Sequence, residues 1–237
     1  DAASCSLNTP CYINSGDDAV NGLGTGLKDA LDAAPSPATV NILGNYLVKS
    51  NTVLANQAHV IQGMNNAAIT YSGSVCTQAM LNLTAGVTLK NLTINDGSCT
   101  GTNRNLVTIG SGSKVTIESN DLTGGQDAIY LLATNTAAVD LRYNEITNNA
   151  GYAVYSTSGN TGVIEAVANN IYSNRSGSQV VCTSLSKGVV NHNYWGAGVL
   201  PATAALNCTS EANKRLGAPI EHSLTGPGVN ATKVTVT

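Results

Sequence analysis

The sequence contains no phenylalanine, and aromatic residues make up only 4% of it. A core built without phenylalanine relies on branched aliphatic side chains, which suit strands better than helices. Charge is scarce too, at 11% against a usual quarter. With a net charge of -3 there is no basic field, so nucleic acid is not an expected partner. No run of about 18 apolar residues occurs, so membrane insertion is not expected either. The six cysteines form no Cys-x-x-Cys, and only His59, His192 and His222 accompany them, which is not the clustering of a zinc site. Gly-x-Ser-x-Gly is missing. Gly22-Leu-Gly-Thr-Gly26 lacks the Gly-x-Gly-x-x-Gly spacing of a nucleotide loop.

What is abundant is turn and strand chemistry: 28 Asn, 26 Thr, 20 Ser and 24 Gly. A length of 237 residues suits one domain, and 42% hydrophobic residues suffice for a sizeable core. An even number of cysteines in a polar, low-charge chain points to disulfides and an oxidising compartment. A start at Asp1 reads as a mature product after removal of a signal peptide. The expected location is therefore extracellular or the cell surface. Five glycosylation sequons stand at Asn82, Asn91, Asn174, Asn207 and Asn230. This composition yields about five sequons by chance, so their number carries no weight.

An internal period organises the chain. Four segments align: Val115-Thr-Ile-Glu-Ser-Asn120, Val139-Asp-Leu-Arg-Tyr-Asn144, Ile164-Glu-Ala-Val-Ala-Asn169 and Gly188-Val-Val-Asn-His-Asn193. The asparagines follow one another at spacings of 24, 25 and 24. Val87 to Ile94 is an earlier copy without the asparagine. One copy cannot bury its own apolar face, whereas stacked copies can, as in a β-solenoid. The first and third residues of each copy point inward, the second and fourth outward. Asparagines stacked about 4.8 Å apart would satisfy one another's buried amides.

Cysteine spacing follows the same period. Cys76–Cys99 and Cys182–Cys208 are each separated by about one repeat, so both are expected as staples between neighbouring coils. Cys5–Cys11 would close a small N-terminal loop. Gly22 to Ala34 carries Leu23, Leu27, Ala30, Leu31 and Ala34 at helical spacing, and Pro35 and Pro37 end it. Strands are expected at Thr39–Leu43, Tyr46–Leu54, His59–Gln62, Ala68–Tyr71 and Ala79–Leu83. The organisation is then a single domain: an N-terminal loop and capping helix (1–37), the solenoid (38–196), and a C-terminal cap with a tail strand (197–237).

The helix and prolines, Ala38-Thr-Val-Asn-Ile-Leu-Gly-Asn-Tyr46, and the Asn-x-Ile repeats ending in Asn191-His-Asn-Tyr-Trp-Gly196 resemble secreted proteins of the pectate-lyase-like superfamily. The resemblance covers residues 17–196 and implies an all-β, right-handed parallel β-helix. That fold hosts lyases, hydrolases, adhesins and structural proteins, so it does not fix a function.

Outward positions of the repeat form columns. One runs Thr88, Thr116, Asp140, Glu165, and the next Lys90, Glu118, Arg142, Val167. The resemblance implies a lyase acting on acidic polysaccharide, with Glu118, Asp140 and Glu165 as calcium ligands and Arg142 as base. The competing reading is a cross-strand charge ladder of alternating sign, which neighbouring strands favour. It is preferred, because no lyase motif surrounds Arg142. Asp121 beside Glu145 forms a second acidic column, a hydrolase pair or weak calcium site in outline. Gly16-Asp17-Asp18 precedes the helix, where acids complement its N-terminus. His192 fits packing in the last coil. Tyr152, Tyr155 and Tyr172 are candidates for a sugar-stacking face, but fit packing between coils better.

After Trp195 the repeat stops. Thr225-Gly-Pro-Gly228 breaks the chain, and Val234-Thr-Val-Thr237 alternates as a strand does. Val229, Ala231, Val234 and Val236 could pair with a neighbour's sheet edge, giving an open filament. The leading expectation is a non-enzymatic, self-assembling extracellular protein without cofactor, its partner a second copy of itself. The alternative is a carbohydrate-active lyase or polysaccharide-binding module, for which calcium is the cofactor.

Overall fold

The computed structural model describes residues 11–13, 26–48, 53–71, 79–96, 99, 105–175, 179–183, 188–199, 204–209 and 216–220. Strand β1 (Cys11–Ile13) precedes helix α1 (Leu27–Ala33), and coils of three strands follow. The first coil is β2 (Ala38–Ile42), β3 (Asn45–Val48) and β4 (Val53–Ala55). The second is β5 (His59–Gly63), β6 (Ala68–Tyr71) and β7 (Leu81–Leu83). The third is β8 (Thr88–Lys90), β9 (Thr93–Asn95) and β10 (Val107–Ile109). The fourth is β11 (Val115–Glu118), β12 (Asp121–Thr123) and β13 (Ile129–Leu131). The fifth is β14 (Val139–Arg142), β15 (Glu145–Thr147) and β16 (Val154–Ser156). The sixth is β17 (Ile164–Val167), β18 (Asn170–Tyr172) and β19 (Val180–Val181), and β20 (Gly188–Asn191) with β21 (Ala205–Leu206) begins a seventh.

Each strand pairs in parallel with its counterpart one coil away, so three sheets form. Sheet 1 runs β1-β2-β5-β8-β11-β14-β17-β20, sheet 2 runs β3 to β18 by threes, and sheet 3 runs β4 to β19 by threes and ends on β21. The chain is an all-β parallel β-solenoid of about six turns with one short helix.

The register explains the missing phenylalanine. Ile61, Leu89, Ile117, Leu141, Ala166 and Val190 face one another in succession along sheet 1 and are buried. Ile69, Ile94, Leu122, Ile146 and Ile171 do the same on sheet 2. A narrow interior is filled by like-sized aliphatics stacked about 4.8 Å apart, each meeting its equivalent in the next coil.

The corner between sheets 1 and 2 is set by the asparagine column. Asn120, Asn144, Asn169 and Asn193 are buried, and each Nδ2 donates to the next Oδ1 at 3.2, 2.9 and 3.0 Å. The residue before each one is left-handed: Ser119, Tyr143, Ala168 and His192 have φ of 54–58°. That conformation is uncommon for such side chains, and the amide bonds on either side hold it. The column enters the earlier copy at Leu92, whose N–H donates to Asn120 Oδ1 at 3.0 Å.

Two expectations are modified at the N-terminal end. The helix is described over Leu27–Ala33, with Leu23 outside the described residues. The strand expected over Tyr46–Leu54 is divided into β3 and β4, which belong to different sheets. β1 also adds a strand to sheet 1, with Cys11 opposite Val40. At the other end, Leu216 N–H donates to Asn193 O at 3.0 Å. Ile220 is gripped by Asn170, which accepts its N–H and donates to its carbonyl, both at 2.8 Å.

Candidate functional site

Sheet 1 places both outward columns in the expected register. Thr88, Thr116, Asp140 and Glu165 are successive partners, as are Lys90, Glu118, Arg142 and Val167. The charges meet as a ladder. Arg142 Nη2 lies 2.8 Å from Asp140 Oδ2, and Arg142 Nε lies 3.5 Å from Glu118 Oε2. Lys114 Nζ reaches the same Asp140 oxygen at 3.2 Å. Arg142 therefore stands as a cation paired with two carboxylates. Asp140 is taken up by two cations, and Glu165 stands exposed beyond it. Among the described residues, no group of three His, Cys, Asp or Glu side chains is gathered to hold a metal.

The acidic pair on sheet 2 is also brought together, with Asp121 opposite Glu145. Glu145 is occupied: Tyr172 OH donates to Oε1 and Asn170 Nδ2 to Oε2, both at 2.6 Å. The Tyr172 hydroxyl is pushed up to about 12, first by its bond to Glu145 and then by burial.

Sheet 3 carries a tyrosine column. Tyr130 and Tyr155 are register partners with ring centroids 5.5 Å apart, and Tyr152 stacks on Tyr155 at 5.2 Å. The Arg175 guanidinium lies 4.9 Å from the centre of the Tyr152 ring and donates to its hydroxyl at 2.8 Å. The rings thus stack on one another and, at Tyr152, against Arg175. Beneath them Asp127 is buried and accepts the Tyr152 N–H at 2.6 Å. Burial raises its carboxyl above the ordinary range, against the lowering effect of that N–H and of Arg175.

Two further polar columns were not foreseen. At the corner after sheet 2, Asn149 Nδ2 donates to Asn174 Oδ1 at 2.7 Å, and Asn174 Nδ2 to Gln179 Oε1 at 2.9 Å. At the corner after sheet 3, Asn135 Nδ2 donates to Asn160 Oδ1 at 2.9 Å. The 25-residue spacing of Asn149/Asn174 and Asn135/Asn160 was the available signal. His59, buried between α1 and sheet 1, was also missed, and a single histidine at a strand start gives no signal.

Cys182–Cys208 is present, with Cα atoms 5.2 Å apart across neighbouring coils. Cys99 is disulfide-bonded, but the expected Cys76–Cys99 and Cys5–Cys11 pairings involve residues outside the described set. Of the sequons, Asn207 is exposed, and Asn82 and Asn91 are half-buried. Asn174 uses its Nδ2 in the column and to Ile146 O at 2.9 Å, so a glycan there would displace a structural bond. Asn230 and the strand positions Val229, Ala231, Val234 and Val236 lie outside the described residues. No helix of the described residues is long and apolar enough to cross a membrane. No family description, curated protein or solved structure matches the chain.

Proposed function

We propose that the chain is a non-enzymatic extracellular structural protein, a subunit of a filament or surface layer that self-assembles. In this reading strand 229–237 pairs with a neighbouring subunit, and the chain is kin to the secreted pectate-lyase-like β-helix proteins. One observation carries it: the placement of exposed large apolar side chains. Among the described residues these are Tyr12, Leu47, Val167, Val189 and Leu206. Tyr12 and Leu47 stand on the first strands of sheets 1 and 2, Val189 and Leu206 on the last strands of sheets 1 and 3, and Val167 one strand inside. The middle of the solenoid carries charge, threonine and stacked tyrosine instead. Because each coil has the same outline, one molecule's last coil can continue onto another's first at the ordinary strand spacing. Such a head-to-tail contact is heterologous and propagates. The internal pairing of Arg142, Asp140 and Glu118 supports the non-enzymatic part, and the Cys182–Cys208 bridge is compatible with an oxidising compartment.

The test is electron microscopy and light scattering of the full chain beside a 226–237 deletion and a Val189→Lys/Leu206→Lys double variant. Assembly in the parent and its loss in both variants is the expected result. Polymers unchanged by the deletion would remove the tail from the mechanism.

A second reading, a module binding acidic polysaccharide, is supported by the hydroxyl edges of Tyr130, Tyr152 and Tyr155 beside the exposed Arg175 cation. Retention of polygalacturonate by the parent and not by Arg175→Ala is its expected result. Calcium-dependent turnover lost in Arg142→Ala would instead restore the lyase.

A further inference from the structure

His59 is the first residue of β5 and is buried under α1. Both ring nitrogens are engaged. Nδ1 accepts the Ala38 N–H at 3.3 Å, where sheet 1 begins its first coil. That fixes the proton of the neutral ring on Nε2, which donates to Leu31 O, in the last turn of α1, at 3.0 Å. One neutral imidazole therefore ties the helix to two strands of sheet 1 and uses a backbone donor and a backbone acceptor that burial would otherwise leave unmet. A second proton would sit on Nδ1, facing the Ala38 N–H, with no acceptor there.

The surroundings offer that proton little. Of the charged groups on α1, Asp32 faces the ring but is engaged by Lys28, and Asp29 stands in the first turn. β1, β2, β3, β4 and β5 carry no Asp, Glu, Lys or Arg. Burial holds the His59 pKa below the ordinary histidine value, against smaller raising effects of its two backbone bonds and Asp32. α1 packs on β1 and on β4, and β4 is the N-terminal edge of sheet 3.

We propose that His59 is an acid-released latch: neutral, it holds α1 over the N-terminal end of the solenoid, and protonated, it lets the helix lift and expose the β4 edge to a second copy. The regulation part rests on the assembly reading above, and the latch itself does not.

The experiment is hydrogen exchange of the full chain between about pH 7.5 and about pH 5, corrected for intrinsic rates, with light scattering on the same samples. In the parent, amides of 27–34 lose protection by about tenfold or more on acidification, while Asn144 and Asn169 keep theirs. His59→Gln keeps a donor toward Leu31 O and has no titrating ring, so its helix protection is independent of pH. Unchanged helix protection in the parent, or an equal loss in His59→Gln, overturns the latch. Loss of helix protection without a rise in mass upholds the latch and rejects the assembly it was to regulate.

Discussion

The side-chain amide of Asn144 donates to Asn169 Oδ1 at 2.9 Å, and the Asn144 backbone N–H reaches the same oxygen at 2.9 Å. Asn144 Nδ2 also donates to Ile117 O at 2.8 Å, and its Oδ1 accepts the Asn120 N–H at 3.0 Å. One side chain thus satisfies two backbone groups of the preceding coil at a buried left-handed corner. Asn144→Ala leaves the Asn120 N–H buried without its acceptor and removes the bonds to Ile117 O and Asn169 Oδ1. We expect a loss of about 2–4 kcal/mol, read from urea unfolding. A loss below about 0.5 kcal/mol would show that water replaces the column.

Close packing between coils gives a paired test at two glycines. A Cβ on Gly162 would lie 2.2 Å from Ala137 O and 2.2 Å from Asn135 Nδ2, and one on Gly112 would meet nothing closer than 3.8 Å. Gly162→Ala is expected to destabilise by about 1–3 kcal/mol. Gly112→Ala is expected to be neutral or stabilising by up to about 1 kcal/mol. Equal effects in thermal melts would contradict the coil-to-coil approach at Gly162.

The ladder reading of Arg142 predicts a small effect. Its side chain is 42% exposed, and exposed pairs contribute about 0–1 kcal/mol. Arg142→Met should therefore cost less than about 1 kcal/mol, and the difference should shrink in high salt. The measurement is the same urea titration at low and high ionic strength. A large, salt-independent loss would point to a buried role that the ladder lacks.

Tyr172 supplies a pH dependence with a defined sign. Its folded-state pKa, about 12, lies above its unfolded value. Between the two, the folded chain holds a proton that the unfolded chain releases. The stabilisation is therefore complete below about pH 10 and is lost as pH rises to about 12. Stability measured across this window should fall more steeply in the parent than in Tyr172→Phe. Equal slopes would mean that the bond to Glu145 does not persist in solution.

The coil axis was legible in the sequence because like positions recur at near-constant spacing. Asn120, Asn144, Asn169 and Asn193 gave the corner, and Cys182 with Cys208 gave the neighbouring-coil contact. The columns Asp140/Glu165 and Glu118/Arg142 followed once the register was set. The break of Tyr46–Leu54 into two strands was missed, although the polar run Lys49-Ser-Asn-Thr52 interrupts its apolar residues. Tyr152 and Tyr155 were legible as candidates, Tyr130 beside them was not, and Tyr172, expected with them, stands on sheet 2. Tyr130 and Tyr155 stack across neighbouring coils, and Tyr152 stacks on Tyr155 within one coil. His59 could not be read at all. Its two partners, Leu31 O and Ala38 N–H, are backbone groups that any residues would supply.

The most direct test of self-association is the mass of the purified full chain across a wide concentration range, measured by light scattering at neutral and mildly acid pH. The account predicts a series of growing species that collapses to one chain in the Val189→Lys/Leu206→Lys variant. A single-chain mass at every concentration and both pH values would contradict it.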